Sequence, residues 1–171
     1  MNLEYKHLLP AGFSPLSKVW IYQSSRLFSM AEAVEVEDVL NNFTSVWVSH
    51  GAPVKGFSIL LFGQFIILMA DETDTTVGGC STDTSTRMIK ELEKRFDINL
   101  FDRTTLAFII KDKLQLLPLA QVNYAIENGF INKDTLFFNN IVVTKKDLQE
   151  NWLIPVEKSW LSKRLSLKAE N

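Results

Sequence analysis

The spacing of apolar and polar residues changes period several times along the 171-residue chain, and each change marks an element. "KVWIYQSSRLF" (Lys18–Phe28) opens with β-branched and aromatic side chains and predicts a first strand that ends near Gln23. From Ser29 the period becomes helical. Ser29 and Glu32 have the spacing of a capping box, in which each side chain accepts a hydrogen bond from an otherwise unpaired backbone N–H. Val36, Val39, Leu40, Phe43 and Trp47 then form one stripe, and Gly51 suits the left-handed residue that often closes a helix. Two short apolar runs follow, Phe57–Phe62 and Phe65–Ala70, predicted as an antiparallel hairpin turning at Gly63-Gln64. An acidic loop, Asp71 to Val77, leads through "GGCSTDTS" into a second helix with Met88, Ile89, Leu92 and Phe96 inward and Lys90, Glu91, Glu93, Lys94 and Arg95 toward water. Beyond "DINLFDR", Leu106–Ile110 and Leu114–Leu117 predict another hairpin, turning at Lys111-Asp112-Lys113.

Strand, helix, strand, strand, helix, strand is the order of a ferredoxin-like βαββαβ fold, an α+β class with a mostly antiparallel sheet, its last strand here prolonged into a hairpin. Both faces of the central strands are apolar: Phe57, Ile59 and Leu61 against Leu60 and Phe62, then Phe65, Ile67 and Met69 against Ile66 and Leu68. Two helices cover only one face of such a sheet, so the other needs a second cover. Residues 118–171 supply one candidate, with a helix near Pro118–Glu127, an apolar piece at Leu136-Phe137-Phe138, a short helix after Thr144 and a last helix begun by Pro155. A homodimer face is the other candidate. The absence of repeats, low-complexity tracts and linkers predicts a single domain over residues 1–171, with a core at about 18–117.

Composition adds boundaries rather than identity. Hydrophobic residues at 46% and charged residues at 22% are those of a globular protein. A net charge of −2 gives no electrostatic case for nucleic acid. Charge is uneven, with 4 basic and 9 acidic residues in 1–85 against 14 and 11 in 86–171. One cysteine makes no internal disulfide, and the N-terminal stretch lacks the pattern of a signal peptide, so a cytoplasmic location is expected. The most apolar window, Phe57 to Ala70, is broken by Gly63 and Gln64 and is too short to span a membrane as a helix. The C-terminal "KSWLSKRLSLKAEN" is amphipathic and mildly basic, a pattern met both in core-packing helices and on anionic lipid.

Candidate chemistry gathers at "GGCSTDTS". A thiol beside a helix start feels unpaired N–H groups and the positive end of the dipole, which favour thiolate, while buried cysteine more commonly serves as a small hydrophobe. The same start suits an anion, with Gly79 giving access to the backbone and Ser81, Thr82, Thr84 and Ser85 offering hydroxyls. Those hydroxyls and Asp83 also suit plain capping. His50, in "WVSHGAP", is expected at the end of the first helix, either capping its last carbonyls or acting as a base; the only other histidine is His7. Asp71, Glu72, Asp74 and Asp83 are oxygen donors, but their spacing does not match a calcium loop. Asp102 and Arg103 either clamp an anion or pin their loop. No cofactor or metal motif is present in the sequence.

"KVWIYQSSRLF", "VWVSHGAPVKG", "GGCSTDTS" and "INLFDR", in that order, resemble a family of short bacterial proteins of unknown function often labelled "ABC transporter ATPase". The resemblance spans about Val19 to Arg103 and singles out His50-Gly51, Gly79-Cys80-Ser81, Asp83, Ser85 and Asp102-Arg103. It implies positions of interest and no activity. The label itself does not fit, because a P-loop needs Gly-Lys-Ser/Thr and the chain contains no Gly-Lys dipeptide and no LSGGQ. Two readings follow. One is a non-enzymatic domain that binds a small anion or a protein partner, as a monomer or a dimer, using Gly79, Ser81, Asp83, Ser85, Asp102 and Arg103. The other is a thiol-dependent enzyme with Cys80 as nucleophile, assisted by His50 or Arg103.

Overall fold

A computed structural model describes residues 1–166 of the chain. They form two compact units: residues 3–101 with 143–146, and residues 1–2 and 102–142 with those from 147 onward.

The first unit is built on β1 (Lys18–Gln23) and α1 (Met30–Val46), followed by the short β2 (Val48–Ser49) and β3 (Ala52–Pro53), the hairpin β4 (Lys55–Leu61) and β5 (Phe65–Asp71), and α2 (Gly79–Phe96). The capping box at Ser29 forms as its spacing predicts: Ser29 Oγ accepts from Glu32 N–H at 3.2 Å and a Glu32 carboxylate oxygen accepts from Ser29 N–H at 2.7 Å. Glu32 also takes a two-pronged bond from Arg26, which holds its carboxyl down to about 2. A second Arg26 donor reaches Phe96 O at 2.8 Å, tying the start of α1 to the end of α2.

The sheet is antiparallel throughout, in the order β1-β5-β4. Tyr22 and Ile66 meet Val36 and Leu40 of α1 and Met88, Ile89 and Leu92 of α2 in one core. Every residue of β5 is buried, so its other face needs a cover too. Part of that cover is the segment before β1: Tyr5 meets Phe62 edge-on, and Phe13 meets Phe57. The hairpin closes at Leu61↔Phe65 through Phe62-Gly63-Gln64, so the turn holds the expected Gly63-Gln64 and one residue more; Phe62 and Gly63 have positive φ (56° and 60°). Gln64 is buried, and its side-chain amide donates to Ser24 O.

The ferredoxin-like βαββαβ order does not hold. The strand after α2, β6 (Thr105–Ile110), does not return to β1; it pairs with β7 (Lys113–Pro118) and β8 (Leu136–Phe138) in the second unit. The outer side of β1 is taken instead by the strand of backbone at residues 143–144, through Val19 N–H to Val143 O at 2.9 Å and an antiparallel bridge between Lys18 and Thr144. What the structure retains is the coarser class, mixed α+β with antiparallel sheets.

The second unit has its own four-stranded sheet, ordered β7-β6-β8-β9, where β9 is Leu153–Pro155. Phe108, Phe137, Val156 and Leu161 form its core with Val122, Ala125 and Ile126 of α3 (Val122–Glu127). The short helix expected after Thr144 is α4 (Lys145–Asn151). The helix expected from Pro155 is reduced to one 3₁₀ turn, Val156–Lys158: Pro155 is extended (φ −58°, ψ 145°) and ends β9, and α5 begins only at Ser162 and runs to Ser166. In the amphipathic C-terminal stretch Leu161 is fully buried in the core of this unit, while Trp160 packs edge-on to Phe137 and stays 40% exposed; Leu167, Lys168 and Glu170 lie outside the described residues. Among the described residues no helix is long and apolar enough to cross a membrane.

Candidate functional site at the start of the second helix

α1 stops at Val46 because Trp47 turns extended (φ −67°, ψ 123°) and buries its indole. The ring lies against Phe43 and Trp20, and its N–H donates to Ser81 O at 3.2 Å. Gly56 makes room for it, since a Cβ there would stand 2.9 Å from Trp47 Cε3. The chain then forms the β2–β3 hairpin, in register Ser49↔Ala52, with His50 (φ 53°) and Gly51 (φ 82°) as its two turn residues. Two positive φ angles are what such a tight hairpin requires. His50 and Gly51 therefore do not close α1: the helix has ended before them, and the left-handed glycine serves a hairpin.

That hairpin sets the start of α2. Ser49 Oγ, buried, donates to Thr76 O at 2.7 Å and accepts from Ser81 Oγ at 2.9 Å and from Gly78 N–H at 3.3 Å. Gly78 is the residue before the first helical turn and has no side chain with which to cap it. A Cβ on Gly78 would stand 2.7 Å from His50 Nε2, so the imidazole occupies the space a side chain would need. At Gly79 a Cβ would meet nothing within 4 Å.

α2 starts at Gly79, nine residues before Met88, the first residue of the stripe that announces it, and this changes the part played by the hydroxyls. Ser81, Thr82, Thr84 and Ser85 lie within the helix and donate back to its carbonyls: Ser81 and Thr82 to Gly78 O, Thr84 to Cys80 O and Ser85 to Thr82 O, at 2.8–3.1 Å. Ser81 and Ser85 are buried. Cys80 is exposed, against the commoner use of cysteine, and Gly79, Asp83 and His50 are exposed with it. Among the described residues no hydrogen bond joins the thiol to His50. The structure thus brings His50 to the start of α2, beside Gly78, which precedes Gly79 and Cys80.

The acidic loop is engaged elsewhere. Asp71 accepts from Lys55 Nζ at 2.7 Å, from Thr73 Oγ1 at 2.5 Å and from Ser14 N–H at 3.1 Å; the Lys55 contact leads in pulling its carboxyl well below the usual range. Glu72 pairs with Lys18 at 2.9 Å and accepts from Val77 N–H at 2.6 Å. Among the described residues no three His, Cys, Asp or Glu side chains are placed to hold a metal ion.

Asp102 and Arg103 belong to the second unit. Asp102 pins its loop by accepting from Thr104 Oγ1 at 2.6 Å, Thr104 N–H at 2.7 Å and Thr105 Oγ1 at 2.5 Å; the Thr104 hydroxyl is the main cause of its lowered pKa. Both residues line a small cavity of about 90 Å³ with Leu106 and Phe137. A larger cavity in the same unit, about 610 Å³, runs beside β7 and α3. Sequence reasoning missed it, although the apolar residues of β7 and the aromatics Tyr124 and Phe130 mark its position. It also missed Ser49, for which a lone serine in a short strand carries no signal.

No family model matches the chain, and neither a curated protein nor a solved structure matches it significantly.

Proposed function

We propose that the protein is a non-enzymatic binding domain that holds a small anion, a phosphate or carboxylate group, at the start of α2. The observation that carries this reading is the arrangement at Gly78. It caps the helix without a side chain, it is open at its neighbour Gly79, and it has an imidazole against it. Helix starts favour anions through N–H groups and the dipole, and a protonated histidine adds charge of the right sign. The ligand-facing set is narrower than the sequence suggests: Gly79, Cys80 and His50, with the Ser81 and Ser85 hydroxyls serving the helix. Asp83, exposed one turn into the helix, opposes a second negative charge and so favours a small anion over a highly charged one. Kinship with the family labelled as ATPases, a cytoplasmic location and a protein partner or second copy belong to the same proposal; ATP hydrolysis does not.

Titration of ¹⁵N-labelled protein with inorganic phosphate and with acetate tests it. Saturable shifts of the Gly79 and Cys80 amides, weakened in His50→Ala, are expected; shifts that never saturate, or that leave this segment unmoved, overturn it.

The exposure of Cys80 favours a second reading, thiol chemistry at the same place. A nucleophile needs an adjacent base or an electropositive setting, and no base is bonded to this thiol among the described residues. Alkylation by iodoacetamide at pH 7 decides between them: a rate no faster than that of the unfolded chain removes the thiol reading.

A further inference from the structure

The second unit carries a site of another kind. β7 forms one edge of the sheet β7-β6-β8-β9 and meets no further strand among the described residues. The β6–β7 hairpin closes at Ile110↔Lys113 around a two-residue turn, Lys111 (φ 50°) and Asp112 (φ 58°). In such hairpins the closing pair is hydrogen-bonded and the pairs alternate, so the N–H and C=O groups of Leu114 and Leu116 face outward from the sheet. Beside this edge opens the cavity of about 610 Å³, walled by Ile110 and Leu117 and by the rings of Tyr124 and Phe130. Those rings are 63% and 53% exposed, which is unusual for two aromatics lining one apolar groove. The charged residues on its lining are Lys111 and Lys113, and no carboxylate lines it; Asp112 and Glu127, the nearest acids in the chain, are not among the lining residues.

We propose that this edge and groove bind an extended peptide of a partner protein that alternates apolar and acidic residues. The peptide adds a strand to β7 through the backbone of Leu114 and Leu116, sets apolar side chains between Tyr124 and Phe130, and places a carboxylate against Lys111 and Lys113. The charge of the rim selects this occupant. A second copy pairing through its own β7, "KLQLLP", brings another lysine and no acid within the strand. Lys113 and Pro118 at the two ends of β7 discourage indiscriminate edge pairing and confine the open backbone to the residues between them.

The test uses the full chain and a fluorescent hexapeptide of alternating Val and Glu, with a twin in which Lys replaces Glu. Saturable binding of the acidic peptide is expected, tighter than its twin by about tenfold or more and weakening as salt rises. The double variant Lys111→Glu/Lys113→Glu reverses that preference. Leu116→Pro, which removes an outward N–H rather than one bonded to β6, abolishes binding while circular dichroism shows the fold kept. Equal affinity for the two peptides, or no binding of either, overturns the proposal. So does light scattering that shows a dimer unmoved by the peptide, since a second copy then fills the groove.

Discussion

Ser49→Ala is the sharpest perturbation of the candidate site, because one hydroxyl there uses its full hydrogen-bonding capacity. The Oγ proton goes to Thr76 O, and the two lone pairs accept from Ser81 Oγ and Gly78 N–H. Removal leaves the Thr76 carbonyl and the Gly78 amide without this partner in a partly buried place, each worth about 1 kcal/mol net. The Ser81 proton has a second acceptor already in reach, Gly78 O at 3.1 Å, so its loss adds little. The expected destabilisation is about 2 kcal/mol for Ser49→Ala, against about 1 kcal/mol for Ser81→Ala. Their double variant falls short of the sum by about 0.5 kcal/mol or more, since the two hydroxyls share one bond.

Urea unfolding followed by circular dichroism, extrapolated to water, measures all three. The same variants are titrated with phosphate, because the Gly78 amide held by Ser49 orients the peptide units leading into α2. Ser49→Ala is expected to weaken binding with the fold intact. A destabilisation below about 0.5 kcal/mol would refute the view that this hydroxyl ties the β2–β3 hairpin to the start of α2.

Two further outcomes follow from the first unit. Asp71 is buried and bonded by Lys55, Thr73 and Ser14, and its carboxyl is shifted down, so its stabilisation is complete above the unfolded value near 3.9 and is lost as pH falls through the lower folded value. Asp71→Asn therefore costs about 2–3 kcal/mol at pH 7, and urea melts show its deficit shrinking below about pH 4, where the parent loses the same interaction. Gly56→Ala forces a methyl to within 2.9 Å of the buried Trp47 ring and is expected to cost about 1–2 kcal/mol by the same melts, whereas Gly12→Ala, with nothing within 4 Å, shifts them little.

The local elements of the fold were legible wherever one face of a periodic segment meets a core. The Ser29 capping box, the α1 stripe through Leu40, the hairpin strands and the stripe from Met88 to Leu92 all stand where their spacing predicts. The fate of β6 was not legible. Its sequence suits a place in either sheet, and the choice depends on Phe108 meeting Phe137 from a segment almost thirty residues away, while residues 143–144 take the outer side of β1. Periodicity reports which face of a strand is apolar and says nothing of its neighbours. The end of α1 was misplaced for a related reason: Trp47 has helical spacing, but its indole is held by Trp20 and Ser81, contacts that override local preference.

The candidate site shows how a boundary error becomes a chemical one. A hydroxyl just before a helix points its oxygen at unpaired N–H groups, whereas inside the first turns the same side chain returns its proton to a carbonyl three or four residues back. Moving the start of α2 back to Gly79 therefore converts Thr84 and Ser85 from prospective ligand donors into internal partners. The two glycines, surplus when the helix was thought to begin later, acquire separate reasons. Gly78 clears space for the His50 ring, and Gly79 leaves the helix start open. On the proposed reading a ligand there would meet backbone, one imidazole and one thiol with Asp83 close by, so its specificity would rest on His50, Cys80 and Asp83 rather than on the hydroxyl run that first draws attention to the place.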